Sequence, residues 1–213
     1  MRNLDFVEGE YYHIYNRGTD KRSIVEDAYD SNRFVQCLKE LNVKDPIGSM
    51  FENSFRNKDT SSEPLVDIVC YCLNPNHYHL LLSPHVENGI EKFMHRLGTA
   101  HTKYYNNRHK RNGVLFQGKF KAVYVADNDY LLHVSSYVNI NDRVHQLGSS
   151  ASKLVRSSWD EYVLNKTGFC VKDVVLGQFK NPNEYKKFAE DSLSSMLDSK
   201  KEQRELDNFE FDV

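Results

Sequence analysis

The stretch from Val66 to Pro84 constrains the fold more than any other part of the chain. Val66–Leu73 is an apolar, β-rich run, Asn74-Pro75-Asn76 is turn chemistry, and His77–Ser83 is a second extended run that Pro84 ends. The two runs make an antiparallel hairpin. Successive side chains of a strand point to opposite faces, so His77, His79 and Leu81 share one face while Tyr78, Leu80 and Leu82 share the other. Two imidazoles about 7 Å apart along one strand face can share a metal ion. Such a pair also occurs as two solvated strand histidines, and spacing alone leaves both readings open.

The rest of the chain places this hairpin. Tyr11-Tyr12-His13-Ile14-Tyr15 reads as a first strand, broken at Asn16-Arg17-Gly18. Asp30 or Ser31 is the expected cap of a helix carrying Phe34, Cys37, Leu38 and Leu41 at helical spacing. A polar stretch at 43–65 is expected to be a mobile insertion loop. A long helix from Gly89 to Asn106 follows, with Ile90, Phe93, Met94, Leu97 and Tyr104 as its buried stripe. Val114–Val125 reads as a strand interrupted at Gly118, and Asp127 caps a helix with Tyr130, Leu131, Val134 and Val138 on its apolar side. The order strand, helix, strand, strand, helix, strand, helix predicts an α+β, ferredoxin-like or RRM-like antiparallel sheet with helices packed on it. Residues 149–200 are expected to form a small helical C-terminal appendage, with Trp159, Tyr162, Tyr185 and Phe188 as packing residues. The segment 201–213 is expected to be a flexible acidic tail.

A formal net charge of −2 hides an asymmetry. Between Lys92 and Lys121 there are eight Lys or Arg residues and no Asp or Glu, whereas nine acidic residues face five basic ones from Glu184 to Val213. A basic centre with interleaved Phe93, Tyr104, Tyr105, Phe116 and Phe120 suits a polyanion with unpaired bases. Arg108, Lys110, Arg111, Lys119 and Lys121 crowd one turn and strand and are the expected DNA contacts, with Arg17 beside them. Cys37, Cys70, Cys72 and Cys170 lack disulfide-framework spacing, and Cys70 and Cys72 read as structural strand residues rather than zinc ligands. No run of about 18 apolar residues and no apolar leader is present, so no membrane segment is expected and the expected location is cytoplasmic.

Tyr137 and Asn141 lie four residues apart beside the stripe Leu131, Val134 and Val138. On one helix they would project together, a turn apart, toward whatever that stripe covers. From spacing alone, a core aromatic is the commoner fate of a helical tyrosine beside Val134 and Val138.

Several short segments, in order, resemble one family. Asn74-Pro75-Asn76-His77-Tyr78-His79-Leu80-Leu81-Leu82 resembles the His-hydrophobic-His motif of the HUH single-tyrosine transposases, in the branch of the insertion-sequence enzymes and of the transposases associated with repetitive extragenic palindromes. Tyr12–Gly18 resembles the family's opening strand and turn, Leu97–Asn106 its long helix, Phe116–Lys121 its basic strand, and Tyr137–Asn141 its nucleophile helix. The likeness spans roughly Tyr12 to Val144. It implies a catalytic domain at 1–148 in which Tyr137 is the nucleophile, His77, His79 and Asn141 bind Mg2+ or Mn2+, and single-stranded or hairpin DNA is cut through a 5′-phosphotyrosine intermediate. It also implies a nucleoid-associated protein and admits a homodimer. Asp142 stands where many relatives have proline, and Asn139 where many have histidine. Two other readings fit the residues: a hairpin-binding protein without activity, and a hydrolase in which water attacks and Tyr137 is only packed. Replacing Tyr137 by Phe separates them.

Overall fold

The computed structural model describes residues 4–46, 48 and 63–209. Residues 47 and 49–62, the body of the expected loop, lie outside the described residues, as do 210–213 of the expected tail. Five strands, β1 (Tyr11–Arg17), β2 (Val66–Leu73), β3 (His77–Pro84), β4 (Lys121–Val125) and β5 (Arg156–Ser157), form one antiparallel sheet in the order β4-β1-β3-β2-β5. The helices are α1 (Ala28–Glu40), α2 (Gly89–Arg108), α3 (Asn128–Asn139), α4 (Asn141–Val144), α5 (Ser149–Ser152), α6 (Trp159–Val163), α7 (Asp173–Leu176) and α8 (Pro182–Phe209). The first four strands, with α1 and α2 as crossovers, make the expected ferredoxin-like arrangement.

The pleat of β3 sorts the interior. Tyr78, Leu80 and Leu82 join Tyr12 and Ile14 of β1 under Phe34 and Leu38 of α1 and Ile90, Phe93 and Leu97 of α2. Leu81 faces the opposite core, where Val69, Cys70 and Cys72 meet Leu131, Val134 and Val138 of α3 and Tyr162, Val175 and Tyr185 of the C-terminal segment. A register shift between Ile68 and Cys70 lets Val69 and Cys70 enter the same core while Ile68 enters the other. All four cysteines are free thiols.

Three boundaries differ from expectation. Helix α1 is capped by Asp27, whose carboxylate accepts from the amides of Tyr29 and Asp30 at 2.9 and 3.0 Å. Its first turn carries no apolar stripe, so periodicity placed the start too late. The expected long fourth strand is paired only over Lys121–Val125; before it, Phe116 makes a single bridge to Gly18 and the chain turns at Gly118 (φ +68°). The C-terminal segment is helical as expected and is also knitted into the sheet. Its strand β5 pairs with β2, Ser158 accepts from the Tyr71 amide, and the Tyr162 hydroxyl donates to the Val69 carbonyl at 2.8 Å. Helix α8 continues through Phe209, so the backbone of the expected flexible tail begins as helix.

Residues flanking the loop are anchored. Lys44 pairs with Glu63, the Lys44 amide donates to the Glu63 carbonyl at 2.7 Å, and the Arg96 guanidinium donates to the carbonyls of Val43 and Asp45.

His101 of α2 is fully buried and donates from Nε2 to the Ile24 carbonyl at 2.8 Å. Burial lowers its pKa to about 4. Because the folded value lies below the ordinary 6.5, its contribution is complete above pH 6.5 and is lost as the pH falls toward 4. His101→Gln is therefore expected to reduce the stability lost between pH 7.5 and 4.5 by about 2 kcal/mol, read by urea unfolding at both pH values. An unchanged pH dependence contradicts this.

Candidate active site

Strand β3 sits between β1 and β2, and the β1 register sets Tyr15 opposite His79 and Arg17 opposite His77. On the face these histidines share with Leu81, α3 lays its apolar stripe across the sheet. Tyr137 is thereby brought onto the histidine pair within one chain: its ring packs edge-on to His79 (centroids 5.4 Å, 86°) and to His13 (5.9 Å, 79°). Asn141 is not on the same continuous helix, as periodicity implied. Helix α3 ends at Asn139, Ile140 leaves helical geometry (φ −112°, ψ 21°), and Asn141 opens α4. The break has a packing cause, since Ile140 and Val144 are buried against Ala189 and Met196 of α8. The amide of Asn141 still reaches the site.

A hydrogen-bond network determines how these groups face one another. The Asn76 amide nitrogen donates to the Lys21 carbonyl at 3.2 Å, which leaves its oxygen toward His77 Nδ1 at 2.7 Å. An amide oxygen only accepts, so His77 carries its proton on Nδ1 and Nε2 is a bare lone pair. The fully buried Asn74 donates from Nδ2 to that nitrogen (2.9 Å) and to Asn141 Oδ1 (2.7 Å). Two acceptors, His77 Nε2 and Asn141 Oδ1, are consequently held 3.1 Å apart. Neighbouring ligands of an octahedral ion with bonds of about 2.1 Å lie about 3 Å apart. The pair therefore has the spacing of two ligands of one cation.

Electrostatics agree with that fit. Burial lowers the pKa of His77 to about 4 and that of His79 well below the ordinary value, so both stay neutral, the form in which imidazole binds metal. Burial raises the Tyr137 phenol, and the Asn141 side chain offsets part of that rise. Asn141 Nδ2 is buried with no hydrogen-bond partner. It is an amide donor beside the Tyr137 phenol.

A third imidazole was missed in the sequence. His77, His79 and His145 offer ligand atoms that all lie within 4.8 Å of one another. Asn141 and His145 are one turn apart, joined by the His145 amide donating to the Asn141 carbonyl at 3.0 Å, so the signal was an Asn-x-x-x-His spacing. Lys200 of α8 also approaches: its ammonium donates to the Val144 carbonyl at 3.0 Å and its charge helps lower His77 and His79.

The expected DNA contacts do not form one crowd. Arg17, Lys119 and Lys121 are exposed at the β1–β4 edge, with Tyr15 opposite Lys121 and the Arg17 guanidinium bonded to Gln117. The other three lie at the end of α2. Arg111 donates to Asn106 Oδ1 at 2.9 Å and lies over Tyr105, and Lys110 is exposed at φ +52°. Arg108 pairs with Asp27 at 2.6 Å and Asp30 at 2.5 Å, so its charge is engaged in holding α2 to the start of α1.

Comparison with known proteins decides the family. Residues 7–141 match the model of the IS200-like transposases. The chain belongs to that family. The matched span runs from the approach to β1 through Asn141, and so contains His77, His79, Tyr137 and Asn141 but neither His145 nor Lys200. No curated protein sequence matches the chain. Among solved structures, the fold is similar to that of a REP-associated tyrosine transposase bound to a REP hairpin, with 11% identity and a TM-score of 0.51 over 77% of this chain and 85% of that one. Among the described residues of this transposase, no helix is long and apolar enough to cross a membrane.

Asn74 is the donor on which the network turns. Asn74→Ala is expected to lower stability by about 1–3 kcal/mol in urea unfolding, because Asn141 Oδ1 and His77 Nε2 lose their buried donor. A loss below about 0.5 kcal/mol contradicts the network as described.

Proposed function

We propose that this chain cleaves and rejoins single-stranded DNA at hairpin-containing sites, with Tyr137 forming a 5′-phosphotyrosine intermediate. The observation that carries the reading is the placement of Tyr137 against His79, in the same chain, with Asn141 Nδ2 nearby.

The donor set fits a divalent cation. His77, His79 and His145 supply imidazole nitrogens and Asn141 an amide oxygen, with Mg2+ or Mn2+ as the ion; three nitrogens favour Mn2+ of the two. When bound, the ion polarises a non-bridging oxygen of the scissile phosphate. The chain's own groups do the rest. Tyr137 Oη attacks phosphorus, the P–Oη bond forms as the P–O3′ bond breaks, and the 3′ oxygen leaves and takes a proton from water. The phenolic proton passes to solvent. Asn141 Nδ2 donates to the developing phenolate and lowers the cost of ionising a half-buried tyrosine. Rejoining reverses these bond changes, since the phosphotyrosine keeps the phosphodiester's energy.

The exposed cations Arg17, Lys119 and Lys121, at the sheet edge near His77, are placed to hold the phosphates of the strand being cut, with Lys110 and Arg111 as a second set of contacts. Hairpin DNA as substrate is supported by the fold shared with a transposase whose structure holds a REP hairpin.

Tyr137→Phe is expected to bind hairpin oligonucleotides as tightly as the parent and to cut none of them in Mn2+. Continued cutting would identify a hydrolase, and a parent protein that binds but never cuts would identify a binding protein. Charge reversal at Lys119 and Lys121 together is expected to flatten the slope of log affinity against log salt by about 1.5. An unchanged slope removes that edge from the interface.

A further inference from the structure

We propose that His13 fixes the tautomer of His79, so that His79 presents a bare Nε2 to the metal-ligand cluster. The inference rests on the metal reading above. His13 is two residues before Tyr15 on β1 and so shares its face, diagonally across the strand pair from His79. Its Nε2 lies 2.8 Å from His79 Nδ1, the ring centroids are 5.0 Å apart, and the planes differ by 23°. That contact holds one proton, and either ring can supply it.

The two possibilities have opposite consequences. If His13 donates, a neutral His79 must carry its proton on Nε2 and aim an N–H at the cluster. If His79 donates from Nδ1, its Nε2 is a lone pair, as ligation requires. His77 already shows the second arrangement, because Asn76 Oδ1 takes its Nδ1 proton. With its own proton on Nδ1, His13 offers at Nε2 the acceptor to His79 Nδ1 that Asn76 Oδ1 offers to His77 Nδ1. The His79 ring has little freedom to turn out of this contact, with Tyr15 stacked at 5.6 Å and the Tyr137 ring edge-on at 5.4 Å. His13 is thus a positioning residue, acting on the ion through His79.

Nitrogen-15 NMR of histidine-labelled, metal-free protein reads the tautomer directly, and calorimetric titration with Mn2+ reads its consequence. The parent is expected to show His79 protonated on Nδ1. His13→Gln, whose amide oxygen can accept the same proton, is expected to keep both that tautomer and the parent's Mn2+ affinity. His13→Phe, which keeps the ring shape but accepts nothing, is expected to lose affinity by about 10–100-fold. His79 protonated on Nε2 in the parent, or a folded His13→Phe that binds Mn2+ as the parent does, overturns the assignment. The parent spectrum decides even if the Phe variant does not fold. A parent that shows the expected tautomer but binds no Mn2+ defeats the metal reading while leaving the tautomer assignment standing.

Discussion

Everything at the site depends on the register in which β3 is clamped between β1 and β2. Slipping β3 by one residue would turn His77, His79 and Leu81 into the core now filled by Tyr78, Leu80 and Leu82. The apolar set resists this, because each of those three side chains is at most 2% exposed under α1 and α2. The hydrophobic face of the strand thus holds the chemical face in place. The turn between β2 and β3 is pinned as well: the amides of Gly18 and Ile24 donate to the carbonyls of Asn76 and Pro75 at 2.8 and 2.7 Å. The same loop that sets the hairpin supplies Asn74 and Asn76, the two side chains that orient His77.

The second consequence of that geometry is burial. Covering the histidine face with α3, α4 and α8 reduces its hydration, keeps His77 and His79 neutral and raises the cost of ionising Tyr137. In the proposed chemistry a half-buried phenol of raised pKa is a poor nucleophile by itself, and the Asn141 Nδ2 donor is the compensating feature. The C-terminal segment belongs to this arrangement. Tyr185 of α8 accepts from Asn139, Asn139 accepts from Ser158, and Lys200 brings a positive charge to the histidines. The matched family span stops at Asn141, and His145 and Lys200 lie beyond it.

What could be read from the sequence follows the range of the forces involved. Alternation and turn chemistry act locally, and they marked the β2–β3 hairpin, the two histidine-bearing positions and the Asp127 cap of α3. The four-strand order followed from the succession of elements. Residues whose role depends on distant partners were not visible. Arg108 looked like a free cation because Asp27 and Asp30 lie some eighty positions earlier, and His13 looked like an ordinary strand residue until β1 was laid beside β3. Two residues of β5 are too few to carry a periodic signal. The break at Ile140 comes from contact with α8, which no local pattern encodes. The Asn141 side chain nonetheless comes to lie 3.1 Å from His77 Nε2.

The central claim is that the hydroxyl of residue 137 is the group that takes the phosphate. Peptide mapping by mass spectrometry, after incubating the protein with Mn2+ and a hairpin oligonucleotide carrying a single-stranded flank and then digesting with nuclease, tests it most directly. The account predicts a nucleotide joined through its 5′ phosphate to the peptide containing Tyr137, together with a free 3′-hydroxyl on the other DNA fragment. Cleaved DNA without an adduct, or an adduct on any other residue, contradicts it.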